Sequence, residues 1–388
     1  MKYAVLGAGM QGVAGAYDLA KFGDAEVVYL SDLTIELPTK GAEKCNKLLG
    51  KDIVKPLALN SSDKAALVKH LKDVDAVMCA LPFNLNPIVA EAAIEAKTHF
   101  NDLGGDTPTA QKIHSFDSKA KKAGISLIPD CGVMPGMGNH FAAHAIGLLD
   151  KTDDVQVRCG GLPQNPQPPL GYQLVFSING LLNNYFGKAW VLENGKVKEV
   201  DTFDEYEELE LPPPVGKSEA ITTTGATSTC PWTYEGKVDT WKYKTVRYKG
   251  HFEKIRVLRD LGFLDIKPVS VNGDKIAPRD LALTLLPPKI DFPNEPDLIV
   301  LRTTVTGTKD GKRTRYTYDL MDLEDTEKGF SAMARTTAFS AAVITIMQAK
   351  GEIPAGSQRL EVAVDQEKYI QELIKRGIDV KQNVETLS

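Results

Sequence analysis

The sequence predicts an α/β fold: a Rossmann doubly wound parallel sheet, followed by a second α+β domain with a mainly antiparallel sheet. Three observations predict it. The apolar run Tyr3 to Leu6 stops at Gly7-Ala8-Gly9-Met10-Gln11-Gly12, a G-x-G-x-x-G loop, and a helical face of Val13, Ala16, Tyr17 and Ala20 follows. Strand-like and helix-like runs then alternate as far as Asp130, the pattern of a parallel sheet. Past Asp150 the texture changes to strands joined at Asn194-Gly195 and Asp310-Gly311, which are hairpin signals and make the neighbouring strands antiparallel.

The glycine loop has the context a dinucleotide site requires. Gly7 would make the tight turn, Gly9 would leave room for a pyrophosphate, and Gly12 would let helix pack on strand. The helix amino terminus, from Met10 and Gln11, offers free N–H groups and partial positive charge to phosphates. A second apolar strand, Ala25 to Leu30, ends in Ser31-Asp32. Asp32 lies about twenty residues past the last glycine, where a carboxylate accepts the ribose hydroxyls and repels a 2′-phosphate. The expected cofactor is therefore NAD. A tight turn in some other α/β domain is the structural alternative.

Further along, Gly41 to Leu49 reads as helix, Lys55 to Leu59 as a strand ending at Asn60, and Asp63 to Lys72 as helix. Val74 to Ala80 is a nearly continuous apolar strand, as expected where both faces are buried, and it ends at Leu81-Pro82-Phe83. A helix from Ile88 to Ala96, a strand from Thr98 to Asn101 and the loop Asp102-Leu103-Gly104-Gly105-Asp106 follow. The helix Ala110 to Ala123 leads to strand Ile125 to Pro129 and the loop Asp130-Cys131-Gly132. Ligands on such sheets bind beyond the carboxyl ends of the strands. That rule gathers Gly7, Gly9, Met10, Gln11, Gly12, Asp32, Asn60, Ala80, Leu81, Pro82, Asp102 and Leu103 around the cofactor.

In the second domain, Val155–Gly160, Tyr172–Phe176, Ala189–Leu192, Lys196–Val200, Trp241–Tyr248, Leu298–Thr306 and Arg313–Leu320 read as strands. The acidic run Asp204 to Glu210 and Pro212 to Pro214 read as a solvated excursion. Ala332 to Gln348 is a long apolar helix expected to return to the first domain. The expected division is 1–130, completed by a helix at about 331–350, then 131–330, then a tail at 351–388.

Composition bounds the function. A length of 388 residues suits two domains, and a net charge of −5 with dispersed basic residues leaves no footprint for nucleic acid. No apolar run reaches membrane-spanning length. The five cysteines (45, 79, 131, 159 and 230) are odd in number and scattered, which suggests reduced thiols in a cytoplasmic protein. His140 and His144 have the i, i+4 spacing of a metal pair, but no third ligand suggests itself and no metal is expected.

Several stretches together resemble the saccharopine dehydrogenase-like family, most closely its lysine 6-dehydrogenase branch. Beyond the glycine loop these are Pro129-Asp130-Cys131-Gly132-Val133-Met134-Pro135-Gly136-Met137-Gly138-Asn139, Cys159-Gly160-Gly161-Leu162-Pro163, Gly250-His251-Phe252-Glu253-Lys254-Ile255 and Met333-Ala334-Arg335-Thr336-Thr337. The resemblance implies oxidation of an amine on a lysine-like chain, or the reverse reductive amination, with NAD(P). The expected reaction is NAD-dependent oxidative deamination of the ε-amine of L-lysine to the 6-semialdehyde, which cyclises. A saccharopine- or carboxynorspermidine-type dehydrogenase or reductase is the alternative, and should carry more than one arginine in the crevice. A non-catalytic NAD-binding redox sensor is the alternative from another class. A sugar oxidoreductase would offer lysine where this chain reads Leu81-Pro82-Phe83.

Such chemistry needs a base, an anchor for the substrate carboxylate and a cofactor to take the hydride. Asp130 stands at a strand carboxyl end beside the nicotinamide position, and the resemblance puts an acid there; a turn or N-cap aspartate is the bland reading. Asp102 ends the preceding strand and rivals it, while Cys131 is expected to pack. Arg247 is the candidate carboxylate anchor, since a guanidinium binds a carboxylate through two parallel hydrogen bonds; a solvated charge cluster is the alternative. Tyr248 and Thr224 are candidate substrate contacts, and His251, supported by the resemblance, a candidate proton carrier. The partners expected are a small amino-acid substrate and further copies of the chain, as a dimer or higher oligomer.

Overall fold

The computed structural model describes residues 1–388. The first layer is built from β1 (Lys2–Leu6), α1 (Met10–Phe22), β2 (Val27–Asp32), α2 (Glu36–Leu49), β3 (Val54–Ala58), α3 (Lys64–Leu71), β4 (Ala76–Cys79), α4 (Asn86–Ala96), β5 (His99–Asp102), α5 (Thr107–His114), α6 (Asp117–Ala123) and β6 (Ser126–Ile128). The chain then crosses by α7 (Met137–Leu148) into β7 (Lys151–Pro163), α8 (Ile178–Asn184), β8 (Lys188–Glu193), β9 (Lys196–Asp201), β10 (Glu207–Leu211), β11 (Gly216–Thr222), α9 (Cys230–Thr233) and β12 (Thr240–Tyr248). Next come α10 (His251–Asp260), β13 (Val269–Val271), β14 (Asp274–Ile276), α11 (Pro278–Leu285), α12 (Pro287–Ile290), β15 (Asp297–Lys309) and β16 (Lys312–Leu323). It closes with α13 (Ala332–Ala349), β17 (Gly356–Ser357), α14 (Leu360–Ala363), α15 (Gln366–Lys375) and β18 (Val380–Thr386).

The first sheet runs β17-β6-β5-β4-β1-β2-β3, with every pairing parallel. The order reverses beside β1, so the crevice opens there, over the glycine loop. The second sheet runs β10-β11-β12-β7-β15-β16-β18, antiparallel except where β12 lies parallel to β7. Both hairpins expected at Asn194-Gly195 and Asp310-Gly311 form, between β8 and β9 and between β15 and β16. The α/β architecture read from the sequence is the one observed.

Helix ends follow side-chain chemistry. Asp63 caps α3 by accepting from the N–H groups of Ala65 and Ala66, Asp106 caps α5 through Thr109, and Ser331 caps α13 through Ala334. α13 is buried along almost its whole length and packs against α1, β4 and β5. It is apolar on all sides because it has neighbours on all sides. No helix is long and apolar enough to cross a membrane.

Four elements differ from the sequence reading. Tyr172–Phe176 forms no strand; Tyr172 and Val175 are buried as irregular chain against the core. The acidic run is no free excursion, because Glu207–Leu211 pairs as edge strand β10, where Glu207 bonds Arg158 and Lys244. The helix expected over Ala110–Ala123 is two helices, α5 and α6, broken at Ser115–Phe116. The segment 351–388 contributes β17 to the first sheet and β18 to the second.

Candidate active site

The glycine loop shapes one wall of the crevice. A Cβ on Gly7 would stand 2.6 Å from the Ala80 carbonyl oxygen and one on Gly12 would stand 1.7 Å from that of Gly7, so both positions require glycine. At Gly9 an added Cβ would meet nothing within 4 Å, leaving open space where a pyrophosphate would lie. Asp32, at the end of β2, accepts from Ala8 N at 2.8 Å and from Leu33 N at 2.7 Å, so its carboxylate is held at the loop. The cleft beyond has a volume of about 590 Å³ and is bounded by Ala8, Gly9 and Met10 on one side and Gln173 to Val175 and Ser331 on the other. These residues fit a dinucleotide: glycine loop, acid and cleft are continuous.

Other predicted cofactor residues fall along the same edge. Gln11 donates to Met333 O at 3.3 Å while its buried Oε1 has no partner. Ala80 N bonds Leu6 O at 2.8 Å, which carries Leu81 and Pro82 to the carboxyl edge of β4. Leu103 is half-buried in the loop after β5. Asn60 is exposed beyond β3, and its side chain accepts from Ser62 N at 3.0 Å, closing a turn.

Two buried carboxylates meet at the ends of β5 and β6. Asp102 Oδ1 accepts from Asp130 N at 2.9 Å and Gly104 N at 2.8 Å, while its buried Oδ2 has no partner. Asp130 has φ 69°, a left-handed conformation that costs a non-glycine residue on the order of 1–3 kcal/mol. Its Oδ2 accepts from Ser228 Oγ at 2.7 Å. Burial raises the proton affinity of both acids, and the charge of Asp102 raises that of Asp130 further. A buried carboxyl with raised proton affinity at a strand end is placed to accept or return a proton near neutral pH.

Cys131 next door is buried, its thiol 3.4 Å from Ile128 O and pushed well up by burial. Little thiolate forms there, which suits packing. His140 bonds Gln366 and stacks on Tyr369, and His144 bonds Tyr318 and Glu367. The pair belongs to the packing of α7 against its neighbours.

Arg247 lies on β12 with 2% of its surface exposed. Its guanidinium stands 4.7 Å from the Tyr172 ring centre, Nη1 donates to Val246 O, and Nε has no partner. No carboxylate pairs with it. The Tyr172 hydroxyl beside it is also without a partner. A buried, unpaired guanidinium is costly unless an anion meets it.

The structure does not bring every candidate together. Tyr248 packs with Val246, Leu162 and Leu211, on the face of the sheet opposite Arg247, and its hydroxyl donates to Pro163 O. His251 is buried between Tyr185 (2.9 Å from Nε2) and Leu170 O (3.1 Å from Nδ1). Burial first, then the Arg247 charge, lowers its pKa to about 3, so the ring stays neutral at neutral pH and the proton-carrier role does not fit. Thr224 bonds Asn183 O, and the adjoining Gly225 lies against Gly105, so this turn faces the Asp102 loop. Sequence reasoning missed Ser228, which lies in no motif, and Gln173, which lines the cleft and whose buried Oε1 has no partner.

Both halves of the chain resemble known proteins. Residues 3–128 match the family model described as "Saccharopine dehydrogenase NADP binding domain", and residues 132–378 match "Saccharopine dehydrogenase C-terminal domain". The chain is 30% identical over 227 residues to saccharopine dehydrogenase [NADP(+), L-glutamate-forming] of Schizosaccharomyces pombe, covering 54% of this chain and 48% of that protein. It is 26% identical over 385 residues to the carboxynorspermidine synthase of Vibrio cholerae, covering 91% and 89%. The chain spans between 34% and 66% of the length of the fungal saccharopine dehydrogenases it matches. The apo saccharopine dehydrogenase (L-Glu forming) of Saccharomyces cerevisiae shares its fold, with a TM-score of 0.77 at 22% identity over 99% of this chain and 100% of the other.

Proposed function

The chain belongs to the saccharopine dehydrogenase family, and from that premise we propose that it is an NAD-dependent oxidoreductase acting on the ε-amine of L-lysine. The products would be ammonia, NADH and the 6-semialdehyde, which cyclises. The observation that carries this reading is the buried pair Asp102 and Asp130, which sit together at the carboxyl ends of β5 and β6 with no cation bonded to either. Asp130 would hold the ε-ammonium and accept its proton, because the approaching cation favours the carboxylate that burial otherwise disfavours. Ser228 keeps that carboxylate oriented through its hydroxyl. Asp102 fixes the backbone of Asp130 and would accept a proton from water at the reacting carbon through its free Oδ2. Arg247 would take the α-carboxylate. The nicotinamide, when bound, supplies the hydride acceptor. Asp32 supports NAD, since a 2′-phosphate would meet its carboxylate. The test is lysine-dependent NADH formation with equal release of ammonia.

One observation favours a second reading. Arg279 is half-buried near the Thr224 turn, bonded to Asn183 and to no carboxylate. A second free guanidinium suits a substrate with two carboxylates, as in a saccharopine- or carboxynorspermidine-type reaction. Saccharopine turnover that exceeds lysine turnover would favour it.

The protein is also proposed to work as a homo-oligomer in the cytoplasm. The hairpin β13–β14 is solvated on its own, and Leu261, Phe263, Ile266 and Leu285 beside it in sequence are more than half exposed. A two-stranded hairpin is marginal unless covered. Light scattering is expected to give at least twice the 42.3 kDa chain mass, and a single-chain mass would overturn the oligomer. All five cysteines are free thiols, which suits a reducing compartment.

A further inference from the structure

We propose that Glu361, in the carboxyl-terminal segment, is a positioning residue that holds Ser228 against Asp130. The inference rests on the reading of Asp130 as the acid–base group of the proposed reaction. Ser228 and Asp130 are both non-glycine residues in the left-handed region, with φ 50° and 69°, and they face each other across a 2.7 Å hydrogen bond. Two strained residues in contact persist only when their surroundings over-determine them. The turn bearing Ser228 is clamped from two sides. From α7, Asn139 Nδ2 donates to Thr227 O at 3.0 Å and contacts Cys230 Sγ at 3.1 Å. From α14, Glu361 accepts from Thr229 Oγ1 at 2.8 and 3.0 Å and from Thr233 Oγ1 at 2.5 Å.

Glu361 is 6% exposed and has no salt-bridge partner, although Arg359 approaches by donating to Thr233 Oγ1 at 2.9 Å. A carboxylate buried mainly on hydroxyls is an expensive way to pack a turn, since burial disfavours its charge and outweighs the hydroxyls and the nearby Arg359 that favour it. What the arrangement provides is direction. Thr229 follows Ser228, so fixing its side chain fixes the backbone from which the Ser228 hydroxyl points. The segment reaches this place because β17 docks beside β6, with Ser357 N bonded to Asp117 at 3.0 Å. The groups around Asp130 are Asp102 from β5, Cys131 beside it, Ser228 and Cys230 from the turn, and Glu361 with Arg359 from the terminal segment.

The test is an infrared titration of the full chain, following the carboxyl stretch that disappears in Asp130→Asn. In Ser228→Ala the midpoint is expected to rise by about one pH unit, because a hydrogen bond to the charged form is lost. Thr229→Val and Glu361→Ala are expected to raise it as well, and Ser228→Ala/Glu361→Ala to raise it no further than Ser228→Ala alone. Removing only the charge of Glu361 would lower the midpoint. A midpoint that falls or stays in place in both Thr229→Val and Glu361→Ala overturns the proposal, whatever happens to their thermal stability. Should Glu361→Ala fail to fold, the near-isosteric Thr229→Val decides alone. The readout needs no substrate, so absent lysine turnover would sink the proposed reaction and leave this result standing.

Discussion

At the residue scale, Asp130 carries two demands that oppose each other. Its burial raises its proton affinity, so the folded chain binds a proton that the unfolded chain has released. The sign follows: below the ordinary carboxylate value near 4 this costs nothing, and the cost grows as pH rises into the neutral range. Asp130→Asn should therefore melt higher than the parent, by a margin that widens between pH 5 and pH 8 in calorimetry. The same change should lower kcat by ~10²- to 10⁴-fold, the usual contribution of a general base, with NADH binding intact. Arg247→Met should leave NADH binding unchanged and raise KM for the amino acid ~10- to 100-fold, from ~1.5–3 kcal/mol for hydrogen bonds to a charged group. The sequence points to these positions as candidates: the glycine loop, Asp32 and Asp102 through motif spacing and strand ends, and Asp130 and Arg247 with the help of the family resemblance. Tyr248 was misjudged because neighbouring residues on a strand point to opposite faces, so nearness to Arg247 in sequence places it across the sheet. Ser228 and Glu361 left no local signal; each matters through a partner about a hundred residues distant or more.

At the element scale, the terminal segment does what its sequence conceals. β17 is two residues long, and β18 pairs with a strand some sixty residues earlier, so neither has a periodicity or turn that predicts a partner. The segment is tied down by Arg376, which ends α15 and bonds Asp18 of α1 at 2.8 Å, with side chains 1% and 0% exposed. Glu372 completes the cluster. Burial still lifts Asp18 to about 6 while Arg376 pulls it down. Arg376→Met should cost about 3–5 kcal/mol in urea unfolding at pH 8, because it strands a buried carboxylate. That penalty should shrink at pH 5, where Asp18 takes up a proton and the stranded charge disappears. A cost independent of pH would locate the effect in packing instead.

At the scale of the whole molecule, two sheets of different class share one crevice. The parallel sheet supplies the glycine loop and, at the ends of β5 and β6, the two aspartates, and the second sheet brings the Thr224 turn and Ser228 against those aspartates. α13 returns from the second sheet to pack on α1, β4 and β5, so the two parts are joined by a buried helix rather than a linker. The division of labour was visible in the change from alternating to hairpin-joined strands; the crossing of the terminal segment between sheets was not. The proposed reaction is the deamination of lysine with NAD in this crevice. The most direct measurement is NADH formation with NAD and L-lysine at mildly alkaline pH, where more of the ε-amine is neutral, with NADP run alongside. The expected result is NADH that depends on lysine, ammonia in equal amount, and slower reduction of NADP. Tight NADH binding with no lysine turnover, or turnover confined to substrates with two carboxylates, would contradict it.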